Sequence, residues 1–116
     1  MDDARDAVLR EIEVLLESAK ALRADLRAKE ASYRRMAKRV EQGLDIQTAM
    51  RSLGAHVQRQ ELTDTLDEFE HRRHRTRLAI TAAALEEGMT IGDIGRAWGF
   101  SRQLAARYAK EARESR

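Results

Sequence analysis

Between Val8 and Val40 the chain sets residues at alternating intervals of four and three: Val8, Ile12, Leu15, Ala19, Leu22, Leu26, Lys29, Tyr33, Met36 and Val40. Nine of the ten are apolar or aromatic, and the pattern runs over four heptads. A 3.5-residue apolar period is that of an α-helix packed along a partner helix with left-handed supercoiling. It predicts one helix from Asp2 to Gln42. Lys29, the polar member, either snorkels or fixes register at some cost in stability. A helix of this length cannot bury its seam alone. Its partner is either a later helix of the same chain, forming a hairpin, or a second chain in a parallel coiled coil.

Gly43 ends this helix, and Asp45 is placed to cap the next. Ile46, Met50, Leu53 and Val57 continue one apolar face, which slips by a residue before Leu62, Leu66 and Phe69 resume it. Gly54 is either a turn or a weak point within a continuous helix. The acidic run Asp64–Glu70 passes into the basic run HRRHRTR, His71–Arg77. Glu68 with Arg72 and Glu70 with His74 are i,i+4 pairs of the supportive order, each worth about 0.3–0.5 kcal/mol. Leu78–Leu85 is a strong helix former that halts at Gly88.

Composition agrees with helices and with little else. The 116 residues contain no proline, 36% charged and 4% aromatic residues, which suits a narrow seam or a small core better than a large globule. The absence of cysteine removes disulfides, thiolate chemistry and cysteine-ligated zinc. No apolar run approaches the roughly 20 residues that span a bilayer, and the acidic N-terminus lacks a signal-peptide pattern. The expectation is a soluble, cytoplasmic protein. Charge is uneven along the chain. Residues 1–70 carry 12 Lys/Arg against 15 Asp/Glu, a balance of −3, and residues 71–116 carry 10 against 5, a balance of +5. A basic C-terminal segment is the footprint of a domain that meets a polyanion.

The stretch TIGDIGRAWGFSRQLAARY, Thr90–Tyr108, holds three glycines and the only tryptophan. Thr90 can cap a short helix Ile91–Trp98, with Asp93 reaching back as a capping-box partner. Gly99 allows the left-handed backbone of a sharp reversal. Ser101 caps a third helix from Arg102 to about Arg113, and Gly95 lies where the two helices cross. Leu85, Ile91, Ile94, Trp98, Phe100, Ala105 and Tyr108 form the expected inward set. Two helices joined by a tight glycine turn resemble the helix-turn-helix superfamily. The string from Glu86 through Gln103 is similar to the three-helix modules of resolvase-type recombinases, LacI-type repressors and sigma-factor region 4, through Thr90, Ile94, Gly95, Gly99, Phe100 and Ser101. The resemblance covers about a third of the chain, Leu78 to Ala112. Ala105 departs from it, standing where those families carry a branched aliphatic residue. Gly92 lowers helix propensity, and neither a recombinase nucleophile nor an effector domain accompanies the module.

That resemblance implies double-stranded DNA as partner, with the third helix in the major groove. Arg102, Gln103, Ala106 and Arg107 are then the candidates for base contacts. Arg suits the guanine O6/N7 edge, Gln the adenine N6/N7 edge and Ala a thymine methyl. Thr90, Arg96, Ser101 and Lys110 are the candidates for phosphates. His71–Arg77 either extends the phosphate track or faces solvent. His71 and His74 stand three apart, as metal ligands sometimes do, but flanking arginines repel a cation, and no metal or cofactor is expected. No catalytic constellation stands out, so an enzyme is not expected.

An internal echo is also present. EQGLDIQTAMRSLG, Glu41–Gly54, aligns without gaps on EEGMTIGDIGRAWG, Glu86–Gly99, so residues 41–60 are either a degenerate second helix-turn-helix or an unrelated turn. The fold expected is all-α, with a helical hairpin or coiled coil over 1–75 for dimerisation and a three-helix helix-turn-helix module over 76–116. The function expected is a homodimeric, nucleoid-associated DNA-binding protein or transcriptional regulator. The alternative is a helical adaptor that binds a protein such as a sigma factor and does not read DNA.

Overall fold

A computed structural model describes residues 3–115, with the side chains of residues 55–57 outside the description; the expected contribution of Val57, and of Asp2 to the first helix, fall outside it too. The fold is all-α. The described residues form α1 (Asp3–Glu41), α2 (Ile46–Leu53), α3 (Ala55–Glu86), α4 (Ile91–Trp98) and α5 (Arg102–Glu114). Asp3 and Asp6 in the first turn of α1, and Lys38 and Arg39 in its last, complement the helix dipole. The chain forms two compact units, one of residues 1–16 and 71–116, the other of residues 17–70.

In the first unit, the start of α1 packs antiparallel to the end of α3. Arg5 pairs with Glu87 at 2.9 Å, Arg75 lies 3.5 Å from Glu11, and the Thr76 hydroxyl donates to the Glu11 carbonyl at 3.2 Å. In the second unit the later part of α1 runs antiparallel to the start of α3. There the Thr65 hydroxyl donates to Asp25 at 2.6 Å and the Gln58 amide to the Ser32 hydroxyl at 3.3 Å. The partner of α1 is thus, in both units, a helix of the same chain.

The seam of α1 is rotated from the one its apolar residues predict. Val8, Ile12, Leu15, Ala19, Leu22, Lys29, Met36 and Val40 are half-buried as expected. The companion series is Ala4, Glu11, Ser18, Asp25 and Ser32, of which Ala4, Ser18 and Ser32 are buried. Leu26 and Tyr33, expected inside, are 44% and 59% exposed. Leu66 on α3 is exposed too. The physical reason is that small and hydrogen-bonding residues let two helices approach closely and satisfy one another across the seam, as Thr65–Asp25, Gln58–Ser32 and Thr76–Glu11 do. Apolar spacing alone is blind to such positions.

Helix ends follow the chemistry of their residues. Gly43 and Gly88 adopt φ of 99° and 94° and close α1 and α3 with matching bonds. The Gly43 and Leu44 amides donate to Val40 and Arg39, and those of Gly88 and Met89 to Leu85 and Ala84, at 3.0–3.1 Å. Asp45 caps α2 by accepting from the Thr48 amide at 3.0 Å. Gly54 is a true turn, left-handed at φ 63°, and separates α2 from α3.

Candidate nucleic-acid interface

Thr90 opens α4 with a complete capping box. Its hydroxyl accepts from the Asp93 amide, and its own amide donates to the Asp93 carboxylate, both at 3.0 Å. The backbone amide and hydroxyl of Thr90, then the Arg96 guanidinium at 2.7 Å, hold the Asp93 carboxyl below its ordinary value. After the eight residues of α4, Gly99 turns the chain with φ 74°. The amides of Gly99 and Phe100 close the helix on Arg96 and Gly95. Ser101 then caps α5, its hydroxyl accepting from the Leu104 amide at 3.1 Å.

The crossing of α4 and α5 depends on small residues. A Cβ at Gly95 would sit 3.1 Å from the Phe100 carbonyl oxygen and 3.5 Å from the Ala105 Cβ. Ala105, Ala109 and Ala112 line the buried face of α5, and Ile94, 2% exposed, is buried on α4. The alanine that departs from the helix-turn-helix pattern at 105 is therefore matched to Gly95. Gly92 leaves room on the other side of α4, where a Cβ would meet the Arg96 guanidinium at 3.4 Å.

Trp98 departs from expectation. It is 39% exposed and stacks on Phe100 with centroids 5.8 Å apart, where an inward position was expected. It follows the last buried turn of α4, so its ring covers the edge of the core instead of entering it. Phe100 stacks in turn on Tyr108 at 5.3 Å, and Tyr108 meets His74 at 5.4 Å. Arg77 lies over the Phe100 ring and donates to the Tyr108 hydroxyl at 3.3 Å. His74 Nε2 lies 2.8 Å from Glu111. Two members of the basic run 71–77, His74 and Arg77, thus hold α5 on α3, while Arg75 faces Glu11 on α1. Sequence reasoning missed this role; the signal was the three-residue step from His74 to Arg77, which puts both on one face of α3.

The candidate base-contact residues share one side of α5. Arg102, Gln103 and Arg107 are exposed, and Ala106 is half-buried at the margin. Lys110 continues this side one turn on, also exposed. Among the described residues no acidic side chain pairs with Arg102, Arg107 or Lys110, and the first turn of α5 carries no acid. The other phosphate candidates divide. Ser101 sits at the N-terminus of α5, whose unpaired amides favour an anion. The Thr90 backbone amide and the Arg96 guanidinium both engage the Asp93 carboxylate. An approaching phosphate would meet that negative charge as well as the arginine.

Among the described residues no group of three His, Asp or Glu side chains is arranged to hold a metal, and no helix is long and apolar enough to cross a membrane. No family model matches the chain, and comparisons with curated proteins and with solved structures likewise find no match.

Proposed function

We propose that the chain binds double-stranded DNA through α4, the Gly99 turn and α5, as a homodimeric transcriptional regulator or nucleoid-associated protein of the cytoplasm. The observation that carries this reading is the outward side of α5. Arg102, Gln103, Arg107 and Lys110 stand exposed together with no acidic partner among the described residues, at a helix start whose first turn is free of carboxylates. Arg102 and Gln103, nearest that start, and Arg107 and Ala106 one turn on, would meet base edges. Lys110 and Ser101 would take phosphates, with Arg96 and Thr90 as weaker contributors because of Asp93. The likeness to the helix-turn-helix superfamily supports the same assignment through Thr90, Gly95, Gly99 and Ser101. Presentation of two such modules by a dimer raises effective concentration and spaces half-sites by turns of DNA.

Electrophoretic mobility shift on mixed duplexes tests the reading. Binding should weaken by orders of magnitude between about 50 and 200 mM salt. Replacing Arg102 and Arg107 together by alanine should cost about 2–6 kcal/mol of affinity. The reading fails if no duplex is bound, or if that double variant binds as well as the parent. A second reading, a helical adaptor for a protein such as a sigma factor, is favoured by the exposed Trp98 beside the same turn. It requires salt-insensitive partner binding that Trp98→Ala abolishes.

A further inference from the structure

In the second unit the hairpin of α1 and α3 separates charge between its two helices. Residues 17–41 of α1 carry eight Lys/Arg against four Asp/Glu, a balance of +4. Residues 58–70 of α3, antiparallel to them, carry one against five, a balance of −4. The total over residues 1–70 conceals both. Within α1 the positive charge is ordered further. The side toward α3 holds Leu22, Asp25, Lys29, Ser32 and Met36, all buried or half-buried. Lys20, Arg27, Arg34 and Lys38 are exposed and, at steps of seven, seven and four, fall on one line down the opposite side. The line is about 27 Å long, with its charges about 10, 10 and 6 Å apart along the axis. Arg23 and Ala24 fill its first interval, Glu30 and Ala31 its second. Glu30 pairs with Arg34 at 3.3 Å, an exposed i,i+4 contact of the weak kind. Among the described residues no carboxylate pairs with Lys20, Arg23, Arg27 or Lys38.

We infer that this line on α1 binds the phosphate backbone of double-stranded DNA without reading its sequence. Cations held at intervals on a rigid helix suit a polyanion of repeating charge, and each phosphate they neutralise releases condensed counterions. Contacts of this kind position a duplex and carry no sequence information. Ala24 and Ala31 keep one flank of the line low, so that a sugar–phosphate strand can come close to the helix. Such small neighbours do not supply the large apolar face with which a basic helix enters lipid. The acidic residues of α3 repel a duplex, so DNA meets this hairpin only on its α1 side. The surface lies in the second unit, is separate from α5, and stands whether or not α5 reads bases.

Fluorescence anisotropy of the full chain with labelled duplexes of several sequences tests the inference. In the Arg102→Ala/Arg107→Ala background, binding at about 50 mM salt should persist, fall steeply as salt rises, and be indifferent to duplex sequence. Adding Lys20→Gln, Arg27→Gln, Arg34→Gln and Lys38→Gln should abolish it. In the parent, the same four substitutions should make the slope of log affinity against log salt shallower by about 3–4, close to 0.9 per lost phosphate contact. Glutamine is about as good a helix former as lysine or arginine, so circular dichroism should show unchanged helicity. An unchanged slope in the fourfold variant would overturn the inference, as would loss of all binding on replacing Arg102 and Arg107 alone. A parent that binds phosphatidylserine vesicles and no duplex would overturn it too, assigning the line to a membrane surface. If the fourfold variant loses binding while the Arg102/Arg107 variant matches the parent, this surface stands and the reading of α5 falls.

Discussion

Glu41–Gly54 and Glu86–Gly99 are two versions of one local device. Each begins with a left-handed glycine that ends a long helix, continues through a capped helix of eight residues, and closes on a second left-handed glycine. Even the buried position coincides, with Ala49 in one and Ile94 in the other fully enclosed. The two then part. After Gly54 the chain enters α3 directly at Ala55, and Met50 projects into solvent. After Gly99 come Phe100 and Ser101, a fresh cap, and a helix that crosses back over Gly95. Capping fixes where a short helix starts and stops; whether the next helix returns across it is set by the residue at the crossing and by the turn.

The largest expected effect comes from exchanging the residues that distinguish the copies. Gly95→Met imports the counterpart's side chain against the Phe100 carbonyl oxygen and should destabilise the protein by about 3 kcal/mol or more, measured by urea unfolding. Met50→Gly, at an exposed site, should cost only about 1 kcal/mol through helix propensity. Equal costs would mean that both copies carry a packed crossing.

The caps should respond alike, by smaller amounts. Asp45→Ala and Thr90→Ala should each cost about 1 kcal/mol in the same assay. Protonation probes the difference between them. Bonds from the Thr48 backbone amide and hydroxyl hold the Asp45 carboxyl below its ordinary value of 3.8, as Thr90 and Arg96 do for Asp93. A carboxyl depressed in the folded state contributes stability above the unfolded value, and that contribution is lost as pH falls through the folded one. Carbon-detected NMR titration should place both midpoints below 3.8. Arg96→Ala should raise the Asp93 midpoint and leave that of Asp45 in place. The smallest effect belongs to Gly92, which replaces Gln47 of the first copy. A Cβ there meets only the movable end of Arg96, so Gly92→Ala should stabilise by about 0.5–1 kcal/mol.

Much of this architecture was legible in the residues. The heptad spacing from Val8, the glycines at 43, 88 and 99, and the caps at Asp45, Thr90 and Ser101 each dictate a local geometry that the structure reproduces. The phase of the long seam was not legible. Val8, Leu15 and Leu22 are common to both registers, and the choice between Ser18 and Ala19 or Asp25 and Leu26 depends on hydrogen bonds from a helix some forty residues away in sequence. The outward side of α5 followed from helical periodicity once Ser101 was recognised as a cap. The engagement of Arg77 and His74 with α5 did not, because a run of basic residues looks the same whether it meets solvent or an aromatic face.

Trp98 gives the molecule its own optical reporter. It is the sole tryptophan, partly open to water, and stacked on the first residue after the turn that leads into α5. Its emission therefore registers the polarity and quenching at one place, the joint between α4 and α5. Anything that docks on that joint, or shifts Phe100 beneath it, changes a signal that no other indole in the chain obscures. Occupancy of the turn can thus be followed in the unlabelled, unmodified protein.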